Sequence, residues 1–156
     1  MKTFQDLQEG VYDPNILKAF FLAGGPGSGK SYVVKRGTGG LGLKIVNSDD
    51  IFEKYLKDAG LSMKMPKSEE EPRDKLRARA KKVTAARQAN YLEGRLGLII
   101  DGTGKDYDKI AKQATQLKQL GYDVHMIFVN TSLETALERN AKRDRTVPAS
   151  IATKSW

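Results

Sequence analysis

The chain has no cysteine and a single histidine, His125. The first absence excludes disulfides, zinc ribbons and thiol nucleophiles, and the second excludes a multi-histidine metal centre. No apolar run approaches the ~20 residues that a membrane-crossing helix needs. The N-terminal stretch carries Asp6, Glu9 and Asp13, unlike the basic start and long apolar segment of a secretory leader. A cytoplasmic protein that makes no membrane contact is the expectation.

What is present is a chain of 156 residues, enough for one domain. At 39% apolar it can build a core, and at 29% charged it is neither disordered nor collagen-like. Lys and Arg total 27 against 19 acidic residues, a net charge of +8. That surplus favours an anionic partner such as a nucleotide, a nucleic acid or a phosphorylated metabolite, without choosing among them.

The pattern along the chain alternates strands with helices. Residues 1–15 are polar and read as a peripheral segment. Residues 19–23 are an apolar run ending in glycine, the pattern of a buried strand. A short helix over 30–36 is followed by a glycine-rich break at 37–42. Residues 44–47 read as a second strand, followed by a Ser48-Asp49-Asp50 helix start and a helix to about Gly60. Residues 62–72 contain two prolines and read as a loop, and 73–92 as a long basic helix. Residues 97–100 form a third strand, and 107–120 a helix closed by Gly121.

Residues 124–129 form a fourth strand, in which His125 is expected to be a packed core residue. Ser132 caps the next helix, and Pro148 opens a last one. The alternation predicts an α/β fold with a mostly parallel sheet of about four strands and helices on both faces. With four strands and a last helix only about two turns long, the chain looks one strand short for this class. A short, truncated or incompletely represented protein is therefore expected.

The strongest local signal runs from Gly24 through Gly25, Pro26, Gly27, Ser28 and Gly29 to Lys30 and Ser31, matching G-x-x-x-x-G-K-[ST]. A buried strand precedes it and a helix follows, which is the context the pattern requires. Glycines let backbone N–H groups curl toward phosphates with no Cβ in the way, at a helix N-terminus whose dipole favours anions. Lys30 is placed to reach the β/γ oxygens of a nucleoside triphosphate, and the Ser31 hydroxyl to ligate Mg²⁺. A three-layer P-loop NTPase fold that binds ATP follows.

Further carboxylates fall at the same sheet edge. Asp49 and Asp50 stand at the end of the second strand, where one can serve as the base that takes a proton from an attacking hydroxyl while the other caps the helix. Asp101 ends the third strand like a Walker-B carboxylate able to orient Mg²⁺. The glycines of Asp101-Gly-Thr-Gly104 permit close backbone approach to a ligand, and Thr103 offers a hydroxyl. Arg139, Arg143 and Arg145 follow the fourth strand, and the four-residue spacing of the first two puts them on one helix face. Residues 137–148 read as an arginine lid over the transferring phosphate. The helix 73–92 carries seven basic residues and a lone aromatic, Tyr91, so a solvated face competes there with a nucleic-acid track.

Together these residues resemble P-loop kinases of the zeta-toxin and polynucleotide-kinase kind, over roughly residues 20–151. Leu98-Ile-Ile-Asp-Gly-Thr-Gly104 looks like the zeta toxins, which phosphorylate a hydroxyl of a sugar nucleotide. Arg139-Asn-Ala-Lys-Arg143 with Val147-Pro148 looks like the lid of phage polynucleotide 5′-kinases. The resemblance implies Asp49 as general base, with Lys30 and Ser31 on ATP and Mg²⁺. It places Asp50, Asp101 and Thr103 on the acceptor side, and Arg139 and Arg143 on the transferring phosphate.

One departure stands out. Both families commonly carry a basic residue three positions after the catalytic Asp, whereas here Phe52 follows Asp49 and Glu53 follows Asp50 at that spacing. The implied activity is transfer of a γ-phosphoryl group to a hydroxyl of a nucleotide, a sugar nucleotide or a polynucleotide 5′-end. An ATP-binding module without transfer chemistry is the alternative, and a motor-type ATPase a third reading.

Overall fold

A computed structural model of the chain describes residues 15–37, 41–143 and 145–154. The expected peripheral segment 1–15 lies outside these residues except for Asn15, as do the middle of the glycine-rich break and Trp156. The apolar runs of the sequence become four strands: β1 (Lys18–Ala23), β2 (Lys44–Val46), β3 (Leu98–Asp101) and β4 (Asp123–Phe128). They form one sheet in the order β2-β3-β1-β4, with every pairing parallel. This is the α/β P-loop NTPase-like architecture that the alternating pattern predicts.

Side chains alternate across a strand, so β1 feeds both faces of the sheet. Ala19 and Phe21 join Val46, Leu98, Leu117 and Tyr122 in one buried cluster, against which Tyr91, Leu92, Ile110 and Ala114 pack. Those partners come from α3 (Glu70–Glu93) and α4 (Tyr107–Gln119), which cover this face. On the other face Phe20, Leu22, Ile99 and Ile127 line an apolar cavity of about 100 Å³ with Val33 and Val34 of α1 (Lys30–Gly37). Helices therefore stand on both sides of the sheet.

A second cluster joins α2 (Asp49–Asp58) to α3 through Phe52, Leu56 and Ala80. Leu56 is fully buried there, and truncating such a leucine to alanine costs about 2–5 kcal/mol. This contact fixes where α3 runs relative to β2, which matters for the site below.

Three sequence expectations are corrected. The loop over 62–72 ends early, because a 3-10 turn at Lys67–Glu69 leads straight into α3 at Glu70. Pro72 falls in the first turn of that helix, where its missing N–H is not needed. His125 is not a core residue. Among the described strands β4 pairs only with β1, and His125 is half exposed, stacked on Phe20 at 5.2 Å and 2.9 Å from Asp123 Oδ2. Met126 and Phe128, on the same strand, are also exposed. Finally, neither Ser48 nor an Asp side chain caps α2. Asn47 Oδ1 instead accepts from the Asp49 N–H at 2.8 Å.

Other signals hold. Ser132 accepts from Thr135 N–H and caps α5 (Leu133–Ala141), and Gly121 takes φ +88° just after α4. Pro148 immediately precedes α6 (Ala149–Lys154), with its carbonyl accepting from Ala152 N–H. Among the described residues no helix is long and apolar enough to cross a membrane.

Candidate active site

The loop between β1 and α1 is shaped by glycines at positive φ, Gly24, Gly27 and Gly29. Gly27 has φ +86°, and a Cβ there would run into the Ala136 carbonyl of α5. The loop is thus pressed against the helix that begins the arginine-bearing segment. Ser28 Oγ is buried with no hydrogen-bond partner. At the head of α1, Lys30 Nζ donates to the carbonyls of Gly24 at 2.6 Å and Gly25 at 3.2 Å, folding back over the loop. Burial pushes the Lys30 ammonium below its usual range, against the opposing pull of Asp101.

A cleft of about 680 Å³ opens beside this loop at the C-terminal edge of the sheet. Pro26, Gly27, Gly29, Lys30 and Ser31 form one wall, Asp49 and Asp50 another, and Asp101 and Thr103 the floor. Gly24 and Gly25 sit behind it, where Gly24 N–H donates to the Thr103 carbonyl at 3.2 Å. The Asp101-Gly-Thr-Gly104 turn is therefore tied to the root of the phosphate loop. Gly104, at φ +84°, is needed for packing, since a Cβ there would press on Ala23. Gly104 also lines a smaller cavity beside Gly24, Gly25 and Thr103.

Asp101 is held from one side only. Its Oδ2 accepts from Asn47 Nδ2 at 2.9 Å, whereas Oδ1 is buried without a hydrogen bond, 4.0 Å from Lys30 Nζ. Burial raises its carboxyl above the usual range, Lys30 opposes this, and Asp49 and Asp50 add to it. Asn47 thus connects both strand-end acids, donating to Asp101 and capping Asp49. Nothing in the sequence beyond its position at the end of β2 singles it out.

Asp49 is clamped. Arg77 Nη1 lies 2.6 Å from its Oδ1, and Arg145 Nη2 lies 2.8 Å from its Oδ2. Burial would raise this carboxyl, but Arg145 and Arg77 outweigh it and hold it below the ordinary carboxylate range. Arg145 also donates from Nε to Glu53 Oε1 at 2.6 Å. Asp50 is exposed and lines the same cleft without these partners.

The arginines separate. α5 ends at Ala141, so Arg139 is helical and Arg143 lies beyond the helix, and the expected shared face does not form. Arg143 lines the cleft, whereas Arg139 lies outside its lining with its guanidinium beside Gly29. The chain beyond α5 folds back because buried Asn140 donates to the Val147 carbonyl at 2.7 Å and accepts from the Val147 N–H at 3.1 Å. Sequence reasoning misses Asn47, Glu53, Asn140 and above all Arg77, which stands on the face of α3 read as solvated.

An AAA-domain family model matches residues 20–155, most of the chain, and the chain belongs to that family. No curated protein matches the sequence. Among solved structures, a kinase candidate from Chloroflexus aurantiacus shares the fold at a TM-score of 0.62 and 20% identity, over 81% of this chain and 66% of that one. A chain of the Pnkp1/Rnl/Hen1 RNA repair complex matches at 0.66 and 19%, over 98% of this chain and 45% of that one. A chain of the PezAT toxin–antitoxin system of Streptococcus pneumoniae matches at 0.57 and 21%, over 80% and 51%. At these identities the likeness is one of fold, and it bears out the resemblance to P-loop kinases of the zeta-toxin and polynucleotide-kinase group. The chain spans between 45% and 66% of the length of these solved chains.

Proposed function

We propose that this chain is an ATP-dependent kinase domain that transfers a γ-phosphoryl group to a hydroxyl. The observation that carries the reading is the convergence of Lys30, Asp49, Asp101 and the arginine-bearing segment on one cleft beside a phosphate loop. A nucleotide-binding loop with a single Mg²⁺-orienting acid such as Asp101 needs no second acid, and Asp49 is that second acid at the same cleft.

In this reading the loop N–H groups of Gly27, Gly29, Lys30 and Ser31 hold the β-phosphate, and the Lys30 ammonium exchanges the Gly24 and Gly25 carbonyls for β/γ oxygens. Asp49 accepts the proton of the acceptor hydroxyl as its oxygen attacks the γ-phosphorus and the bond to the β-phosphate oxygen breaks, leaving ADP. Arg143, which lines the cleft, and Arg139, beside Gly29, belong to a lid over residues 137–148 and offset the charge that spreads over the transferring group, while Arg145 stays on Asp49 and Glu53. Asp50 and Thr103 line the acceptor side.

Mg²⁺ fits the residues present. Asp101 Oδ1 is a buried carboxylate oxygen lacking a hydrogen bond, and Ser31 lines the same cleft. Mg²⁺ is commonly held by one or two protein oxygens together with waters and phosphates. When bound, the ion would supply positive charge that offsets the negative charge developing on the phosphate groups. Asp101 and Ser31 are the residues that would hold it.

The acceptor is a nucleotide, a sugar nucleotide or a polynucleotide 5′-end. Radiolabelled γ-phosphate from ATP, offered with 5′-hydroxyl oligonucleotides, nucleotides and sugar nucleotides, tests the proposal. Label should pass to one acceptor class. ATP bound with no label transferred to any acceptor would support a binding module instead. A polynucleotide acceptor should also show steep loss of activity with salt, because phosphate contacts release counterions.

A further inference from the structure

Both oxygens of Asp49 are paired with guanidinium groups. Each oxygen keeps a second lone pair, but two guanidinium partners hold the carboxyl below its ordinary range and make it a poor base, so Asp49 gains basicity when one arginine leaves. The two are not equally free to do so. Arg145 is largely buried and keeps a second carboxylate, Glu53, at 2.6 Å. Arg77 pairs with Asp49 alone among the described carboxylates, is about one-third exposed at the cleft wall, and rests on the Phe52 ring at 4.9 Å. The ring is a platform on which a guanidinium can swing without losing its packing.

Resting on the kinase reading of the site, we propose that Arg77 is the acceptor's anion subsite. It pairs with Asp49 in the empty cleft and moves to an oxyanion on the acceptor when the cleft is filled, which frees Asp49 Oδ1 for the hydroxyl. The Asp49 carboxylate stands in for that oxyanion in the empty site. Because the Arg77 guanidinium starts on Asp49 and turns on the Phe52 ring, the acceptor's anion has to lie close to its reacting hydroxyl. Acceptors carrying a phosphate or carboxylate near the hydroxyl meet this requirement. Neutral polyols and free nucleosides do not. α3 thereby supplies a cation to the acceptor side, where positions 52 and 53 carry Phe and Glu.

The test uses the full chain with its phosphate loop saturated by Mg²⁺ and the non-hydrolysable analogue AMP-PNP. Inorganic phosphate and acetate are then titrated calorimetrically into the wild type, Arg77→Gln, Arg77→Lys and Arg79→Gln. Arg79 lies on the same helix over Tyr55 at 4.7 Å, so its variant controls for loss of charge. Arg77→Gln should weaken the preferred anion at least about tenfold, Arg77→Lys should recover most of that loss, and Arg79→Gln should leave binding unchanged. Tighter phosphate than acetate points to a phosphorylated acceptor, and the reverse to a carboxylate-bearing one.

In wild-type protein the Arg77 side-chain Nε resonance should shift with the anion while that of Arg79 stays, a readout that needs no variant. Anion binding unchanged in Arg77→Gln, or an unmoved Arg77 resonance, overturns the proposal while leaving the kinase reading standing. Failure of the wild type to bind AMP-PNP overturns the kinase reading itself.

Discussion

Asn47 donates from Nδ2 to Oδ2 of Asp101 at 2.9 Å, joining the C-terminal ends of β2 and β3 across the floor of the cleft. The same side chain accepts from the Asp49 N–H through Oδ1. One amide therefore sets the position of both strand-end acids and leaves Asp101 Oδ1 as the oxygen without a hydrogen bond. Asn47→Ala should lower kcat by about 10-fold or more while leaving ATP affinity nearly unchanged, because it disturbs orientation rather than the loop. Steady-state kinetics with a calorimetric ATP titration separate the two.

Gly27 is required by shape. Its positive φ and the Ala136 carbonyl in the path of a Cβ mean that Gly27→Ala must displace either the loop or α5. The variant is expected to lose about 1–3 kcal/mol of stability and to bind ATP weakly. Chemical denaturation read against wild type checks the first, and nucleotide titration the second. Gly37→Ala, where nothing lies within 4 Å of a Cβ, is the matched control.

The Asp49 carboxyl is held low in the empty site, despite its burial, by Arg145 and Arg77. The acid limb of kcat/KM, which reports the free enzyme, should therefore fall below the ordinary carboxylate range. The contribution of Asp49 to stability has the matching sign. It is complete above the unfolded pKa and is lost as pH falls through the lower folded value. Arg145→Gln removes the larger of the two lowering charges and should move the limb upward. A limb that stays in place would remove Asp49 from the pH profile.

Asp101 has the opposite sign. Burial raises its carboxyl, with Lys30 only partly offsetting this, so the ionised form costs stability in the empty protein. Asp101→Asn keeps an acceptor for Asn47 and removes that charge. It should be more stable than wild type by on the order of 1 kcal/mol at neutral pH. The gain is present above the folded pKa of Asp101 and vanishes as pH falls below the unfolded one. Thermal melts at pH 7 and at acid pH test the crossing, and activity should fall in the same variant.

Local signals carry the fold and half of the site. The phosphate loop, the strand-end acids and the helix starts at Ser132 and Pro148 are each written in a few contiguous residues, so pattern and spacing reach them. Arg77 lies 28 residues from Asp49 and Arg145 lies 96. Their meeting depends on α2 packing on α3 through Phe52, Leu56 and Ala80, and on Asn140 folding back the chain beyond α5. Neither contact has a local sequence signature. His125 reads as a core residue because β4 has the composition of a buried strand, whereas the strand pairs on one side only among those described. The helix at Glu70 reads short because Pro72 suggests a break, and a proline in the first turn is no break at all.

The most direct measurement is phosphoryl transfer by Asp49→Asn beside Asp50→Asn, with ATP binding followed in both. The amide introduced by Asp49→Asn can still accept from one arginine but cannot take a proton from a hydroxyl. The expected result is ATP affinity close to wild type in both variants, transfer abolished in Asp49→Asn, and substantial turnover kept in Asp50→Asn. Wild-type turnover in Asp49→Asn would contradict the assignment of the base, and with it the reason for the arginine clamp around it.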